Sequence, residues 1–403
     1  MNKIEDLIAK LCPHGVPRKQ LWELTAWDKK FNAVEDYKQK KVVKYKYLLA
    51  KDLKNLEAEN GNVKLLSTGF YDAMTTEDKA GEYLSEGEII AIPWGGTAIV
   101  KYYKGKFVTA DNRIATSLDT SVLNNKFLYY FLQTNLEVIQ SFYRGSGIQH
   151  PSMNAVLSMI IPVPPLEIQN EIVRVLDKFT ELEAELEAEL EARKKQYEYY
   201  RGKLLNFDKM KRGGGVIFKN IYDIAFYPTK RISVENLVAD NYVGVDNLLP
   251  NKQGKKSSTY VPSKGVAIQY LRDDILIGNI RPYLKKIWLA TNDGGTNGDV
   301  LVLRLRDEYK SIISPRYLFQ LLSSDAFFDF DTQYSKGVKM PRGDKASVMQ
   351  YLVPVPSIER QVSVVTILEK FAVLVGDLSN GLPAEIDARR QQYTYYQNKL
   401  LTF

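Results

Sequence analysis

Residues able to do covalent chemistry are scarce in this 403-residue sequence. It holds one cysteine, Cys12, and two histidines, His14 and His150. A structural zinc site normally takes four nitrogen or sulfur ligands, which three such residues cannot supply. A Ser/His/Asp triad would have to use His14 or His150, and neither stands in a recognisable nucleophile setting. There is no G-x-x-x-x-G-K-[ST] phosphate loop; the GKKSS at 254–258 lacks the upstream glycine and reads as a basic loop. There is no Asn/Asp-Pro-Pro-aromatic loop of the kind that grips a base for methylation, and the one Pro-Pro, Pro164-Pro165, precedes a helical pattern. The glutamates of 181–191 are spaced for a solvated helix face. The expectation is a chain with no catalytic residue, no metal site and no cofactor of its own.

What the sequence offers instead is chemistry for holding a polyanion. Lysine and arginine suit phosphates, while Arg, Lys, Asn, Gln and Ser/Thr suit base edges. Lys101, Tyr102, Tyr103, Lys104 and Lys106 form a basic-aromatic hairpin, and Arg144, Gln149, His150 and Asn154 cluster around the glycine-flanked GSGIQHPSMN at 145–154. Further along stand Lys255, Lys256, Ser257 and Ser258, then Arg281, Tyr283, Lys285 and Lys286, then Lys336, Lys339 and Arg342 in KGVKMPRGD at 336–344. Taken singly, each is an ordinary solvated side chain. Jointly they fall in two blocks of surplus positive charge: 21 Lys+Arg against 18 Asp+Glu over 1–161, and 19 against 14 over 213–352. The stretches between and after are near neutral, 10 against 11 over 162–212 and 5 against 5 over 353–403. Two basic blocks are what contact with a polyanion at two places requires.

The elements that must position these residues are duplicated. IPVPPLEIQNEIVRVLDKF at 161–179 aligns with VPVPSIERQVSVVTILEKF at 353–371, an offset of 192. ARKKQYEYYRGKLLNF at 192–207 aligns with ARRQQYTYYQNKLLTF at 388–403, an offset of 196. A fainter match links VPRKQLWEL at 16–24 to VIFKNIYDI at 216–224. Proline extends each opening. Apolar residues then recur at helical spacing: Ile168, Ile172, Val175, Leu176, Phe179, Leu182, Leu186, Leu190, Tyr197, Tyr200 and Leu204. An unbroken helix over 166–207 would span roughly 60 Å at about 1.5 Å per residue, and its stripe needs a partner. The second block supplies one in Val364, Val365, Leu368, Phe371, Leu374, Leu378, Ile386, Tyr393, Tyr396 and Leu400, interrupted by Gly376, Gly381 and Pro383. The two YxYY clusters, Tyr197-Tyr199-Tyr200 and Tyr393-Tyr395-Tyr396, suit either a docking surface for partner subunits or packing at helix ends.

Between the helical blocks lie α+β modules, with strand-like runs at Glu88–Pro93, Ala98–Tyr103, Ile275–Ile280 and Val300–Arg306 and short helices at Asn125–Tyr143 and Pro315–Phe330. The expected organisation is a recognition module over 1–161, a helix and hinge over 162–212, a second module over 213–352 and a terminal helix over 353–403. DKMKRGGG at 208–215 reads as a flexible joint.

The two PVP openings, the two A-R-[KR]-[KQ]-Q-Y-x-Y-Y-x-x-K-L-L-x-F endings and the threefold ELEA of 181–192 resemble the specificity subunits of type I restriction–modification systems. The resemblance implies two target-recognition domains separated by two long helices packed as an antiparallel coiled coil with pseudo-two-fold symmetry. Each domain would read one half-site of a bipartite double-stranded DNA target. The helices would set the spacer and dock two modification subunits. S-adenosylmethionine, ATP and Mg would belong to partner chains, with restriction/translocase subunits among them. The ELEA array is similar to spacer-setting repeats in one branch of that family. Each unit adds about 6 Å of helix.

A lone thiol and a poor secretory signal at MNKIEDLIAK lead to a cytoplasmic expectation. A helical scaffold that touches DNA only incidentally, and a cryptic nuclease or methyltransferase, are the competing readings.

Overall fold

A computed structural model describes residues 2–205, 216–376 and 381–403. The proposed joint at 208–215 lies outside the described residues, as do the side chains of Leu374 and Leu378. The chain divides into two units. One comprises 1–187 with 385–403, the other 188–384.

In the first unit, Arg18–Gln20 pairs antiparallel with Ile160–Pro162 and ties the start of the module to the PVP segment. A six-stranded sheet follows in the order Thr25–Trp27, Asn112–Ser117, Ser85–Pro93, Lys101–Thr109, Val63–Leu66, Asp72–Thr75. Successive residues of a strand point to opposite faces. Accordingly Ile90 and Ile92 join a core with Phe127, Leu128 and Phe131, whereas Ile89 and Ala91 join Phe107 and Ile114 on the other face.

In the second unit, Ile217–Asn220 pairs antiparallel with Leu352–Val355. Its sheets are smaller: Ala225–Phe226, Val300–Leu305, Ile275–Gly278, Ile287–Leu289, and beside it Arg231–Ser233, Val266–Tyr270, Gly294–Thr296, Tyr242–Val243.

The predicted helix 125–143 is two helices, Asn125–Thr134 and Leu136–Ser141. Asn135 separates them at φ −98° and ψ 24°, where its side-chain N–H competes with its backbone N–H for the Phe131 carbonyl. The predicted 315–330 helix likewise divides into Pro315–Leu322 and Asp325–Gln333, where Ser324 caps the second piece by accepting from the Phe327 N–H. The strand expected from Ala98 begins at Lys101.

The long helix runs Leu166–Leu204. The second breaks as its glycines and proline dictate, into Ile358–Gly376 and Leu382–Leu401. Within the first unit the C-terminal helix lies antiparallel to the start of the long one. Tyr396 stacks against Phe179 at 5.3 Å, and Arg390 reaches Glu183 at 2.6 Å and Glu187 at 2.5 Å. Within the second unit the equivalent ring pair, Tyr200 on Phe371, stacks at 5.6 Å. Each unit is therefore completed by the end of the helix that follows the other module.

Two buried glutamines fasten module to helix in the same way. Gln169 Oε1 accepts from the Asn124 N–H, while Nε2 donates to the Val122 and Pro164 carbonyls. Gln361 Oε1 accepts from the Ser314 N–H, while Nε2 donates to the Ile312 and Pro356 carbonyls. Both side chains are fully enclosed, so all three bonds count against water-free alternatives. Lys126–Asp177 at 2.8 Å and Arg316–Glu369 at 3.2 Å repeat the pattern at the surface.

No helix among the described residues is long and apolar enough to cross a membrane.

Candidate nucleic-acid interface

The glycine-flanked loops ahead of the two PVP segments correspond residue for residue at the offset of 192. Arg144 matches Lys336, Gly145 matches Gly337, Ile148 matches Met340, His150 matches Arg342, and the helix caps Ser152 and Asp344 match. Gly145 and Gly337 sit at φ +139° and +104°, a region that favours glycine. In both loops the first residue pairs antiparallel with the seventh, Arg144 with His150 and Lys336 with Arg342.

Each loop is bonded to a turn that leaves the central strand of its own module. In the first unit the Gly96 N–H donates to the Gln149 carbonyl at 2.9 Å, and His150 Nδ1 lies 2.8 Å from the Trp94 carbonyl oxygen. A Cβ on Gly95 would stand 2.8 Å from the Ile148 side chain, so the loop tip lies close against this turn. In the second unit the Arg281 N–H donates to the Pro341 carbonyl at 2.7 Å and the Gly343 N–H to the Asn279 carbonyl at 3.0 Å. The turns are held alike too: the Trp94 N–H bonds the Asp111 carbonyl and the Asn279 N–H the Asp299 carbonyl. Asp111 then pairs with Arg113 at 3.0 Å, and Asp299 with Arg342 at 2.9 Å. The fold thus gathers Arg144, Gln149 and His150 on one composite loop and Arg281, Lys336, Lys339 and Arg342 on its counterpart.

The remaining cations divide sharply. Lys101 donates to the Ser67 carbonyl at 2.6 Å and to Gly69, and burial lowers its pKa. It fastens the 67–71 turn. Lys106 is bound to Glu77 at 2.7 Å, a hydrogen bond that raises its pKa, and Lys104 lies 3.5 Å from Glu88. Tyr103 packs edge-on against Phe107. The basic-aromatic hairpin is therefore largely neutralised by its own module. Asn154 accepts from Lys38 at 2.9 Å.

In the second module Lys286 donates to the Val245 carbonyl at 2.7 Å and burial lowers its pKa. Lys255 donates to the Asp240 carbonyl at 2.7 Å and lies over the Trp288 ring. Lys285 pairs with Asp325 at 2.6 Å, which Lys252 joins at 3.0 Å. Burial would raise the Asp325 carboxyl, but the bonds from Lys285 and Lys252 outweigh it and hold the group at about 2. Lys336 reaches Asp344 at 3.1 Å. Among the described residues, the side chains of Arg144, Lys256, Arg281, Tyr283 and Lys339 have no hydrogen-bond or ion-pair partner.

Several residues around the loops carry no signal in the sequence pattern. Trp94 and Arg113 stack at 4.0 Å beneath the first loop, and Asp111, Asp299 and Asn279 anchor the turns. Their repeat is invisible in the alignment of the helical blocks, because the modules differ in insertions. Asp331 is the most unusual. It is almost fully enclosed, and neither carboxylate oxygen has a partner. Burial, then the nearby Asp344, pushes its pKa up to about 6. A Cβ on Gly343 would stand 2.5 Å from Asp331 Oδ1 and 2.9 Å from Asn279 Oδ1, so only glycine fits above this pair.

The tyrosine clusters also divide. Tyr393 and Tyr396 pack on Phe179, Tyr200 stacks on Phe371, and the Tyr197 hydroxyl accepts from Arg201. Tyr199 and Tyr395, equivalent at the offset of 196, keep 64% and 60% of their surface exposed. Among the described residues no group of three or more His, Cys, Asp or Glu side chains could hold a metal ion.

Residues 33–192 match the family described as "Type I restriction modification DNA specificity domain". The chain is 30% identical over 362 residues to a putative type I restriction enzyme specificity subunit of Haemophilus influenzae, covering 83% of this chain and 88% of that protein. It is 30% identical over 313 residues to the type I restriction enzyme EcoR124I/EcoR124II specificity subunit of Escherichia coli, covering 72% and 74%. Its fold matches the crystal structure of a type I restriction-modification system S subunit from M. genitalium with a TM-score of 0.59 at 17% identity, over 96% of this chain and 97% of that one.

Proposed function

Because the chain belongs to the specificity subunits of type I restriction–modification enzymes, we propose that its two modules, 1–161 and 213–352, each read one half-site of a bipartite double-stranded DNA target. The observation that carries this is the pair of matched loops. Each places at least one cation beside a rigidly bonded turn, Arg144 in the first and Lys336, Lys339 and Arg342 in the second, and each comes from the same position of a duplicated frame. A reader of phosphate and base needs cations that are not already spent inside the protein. Arg144, Lys256, Arg281 and Lys339 meet that need, whereas Lys101 and Lys286 are bonded inward to main-chain carbonyls.

The chain directs chemistry and does none. Adenine methylation, with S-adenosylmethionine, falls to two modification subunits, and ATP- and Mg-dependent translocation and cleavage to restriction subunits, all in the cytoplasm. Tyr199 and Tyr395, exposed at equivalent places, are the favoured anchors for the modification subunits, since large exposed aromatics mark interface centres. The ELEA units of the long helix set the unread spacer between half-sites.

Selection from a degenerate duplex library, with and without the modification subunit, tests the reading. Enrichment of two short sequence blocks at a constant spacing is expected. Recovery of unselected DNA would favour an adaptor that binds DNA incidentally, and methylation or cleavage by this chain alone would overturn the non-catalytic assignment.

A further inference from the structure

The matched loops carry more than cations. Ile148 is 71% exposed and Met340, its equivalent, 52%; beside Met340, Val338 is fully exposed. Isolated surface hydrophobes are common and need no explanation. These differ in three ways. They recur at one position of a duplicated loop, three residues after the same positive-φ glycine. Their loops are bonded at both sides, through Gly96 to Gln149 and Arg281 to Pro341, and cross-paired at the base, so the backbone holds each tip in a fixed place with most of its side chain in solvent. And each shares its loop with a free cation, Arg144 four residues before Ile148 and Lys339 next to Met340.

That setting selects the occupant. Lysine is depleted from protein–protein interfaces, and an apolar tip with an unpaired cation in its loop, Arg144 in one and Lys339 in the other, suits a polyanion that also offers apolar groups. Duplex DNA does: the thymine 5-methyl group is the apolar feature of the major groove, and aliphatic side chains recognise it.

We propose that Ile148 and Met340 each make the apolar base contact of their half-site, against a thymine methyl, and so select the base at that position. The inference rests on the DNA-reading function proposed above. It divides labour within each loop: the cations give affinity that is blind to sequence, and the tip gives discrimination that is blind to salt.

The test uses the full chain assembled with its modification subunit, with Ile148→Ser and Met340→Ser variants selected against degenerate half-sites. Ile148→Ser is expected to relax preference at one position of one half-site by ~5- to 50-fold, in keeping with the worth of one base contact. Met340→Ser is expected to do the same in the other half-site only. The salt dependence of binding stays unchanged in both. Replacing the thymine at that position by uracil weakens the parent complex and leaves the variant indifferent. Ile148→Val and Met340→Leu, which keep an apolar tip, retain the preference, and circular dichroism verifies folding. Unaltered preferences at both half-sites, or a uniform loss of affinity with a shallower salt slope, would overturn the inference while leaving the reading function standing. A parent complex that enriches no bipartite sequence would instead remove the function itself, and this inference with it.

Discussion

The two modules share a frame and differ at one enclosed position ahead of the glycine-flanked loop. In the first, the residue aligned with Asp331 is Ile139, fully enclosed in an apolar core. In the second, the residue at the same offset of 192 is Asp331, with both oxygens unpartnered and Asn279 Oδ1 unpartnered beside it. The strand pairing at the module entrance, the glutamine fastening, the anchoring of turn to loop and the helix ring pair are the same in both. The frame is thus specified by buried amides, backbone pairing and ring stacking. The loop contents, GSGIQH against GVKMPR, are free to vary on top of it. A protein that must hold two different sequences in register needs that separation of tasks, since specificity changes then leave the frame's geometry alone.

Exchanging the aligned residues Ile139 and Asp331 is the largest way to break the comparison. Ile139→Asp would bury a carboxyl with no partner and is expected to destabilise the first module by about 4 kcal/mol, read by chemical denaturation. Asp331→Ile, the reverse change, should stabilise the second module and remove a pH dependence. A carboxyl whose folded pKa is raised to about 6 from 3.8 holds its proton more tightly folded than unfolded. Its contribution is therefore fully present below about pH 4 and lost as pH rises through about 6, a change on the order of 2–3 kcal/mol. Melting of the wild type and the variant across pH 4–7 would separate this slope from that of other groups. Equal slopes in both would show that Asp331 is not its source.

A smaller effect sharpens the division of cations. Arg144→Ala and Lys339→Ala should each weaken DNA binding whatever its sequence and reduce the log–log salt slope by about one. Lys101→Ala and Lys286→Ala should leave that slope intact, because their ammonium groups bond the Ser67 and Val245 carbonyls. Salt titrations of the four variants distinguish the two classes.

The smallest effect is geometric. Deleting one ELEA unit should keep both half-sites and shorten the preferred spacer by about one to two base pairs, since ~6 Å of helix compares with ~3.4 Å per base pair. Arg390 bridges Glu183 and Glu187, the same position of successive units. After the deletion it meets an identical pair, so the helix pairing survives. Methylome sequencing reads the spacer directly.

Much of this was legible from residue order. The duplication, the proline-led helix entries, the 39-residue helix and the break around Gly376 and Pro383 follow from local rules of backbone and periodicity. The splitting of the Asn125 and Pro315 helices was missed because it turns on whether one Asn or Ser side chain bonds its own backbone. The candidate cations stand out in the sequence as a set that residue order alone does not sort, and the tyrosine spacing fits packing and docking equally.

Residue types and spacing by themselves determined that this chain repeats, where its helices begin and stop, and which side chains could meet a polyanion. Only the tertiary structure decided which of those side chains are free to do so. The fate of a lysine depends on carbonyls and carboxylates delivered from elsewhere in the chain, as Ser67 is to Lys101 and Glu77 to Lys106. The meeting of the Trp94 turn with the His150 loop is of the same kind. Such encounters arise from sheet register and close packing, which local sequence pattern does not record.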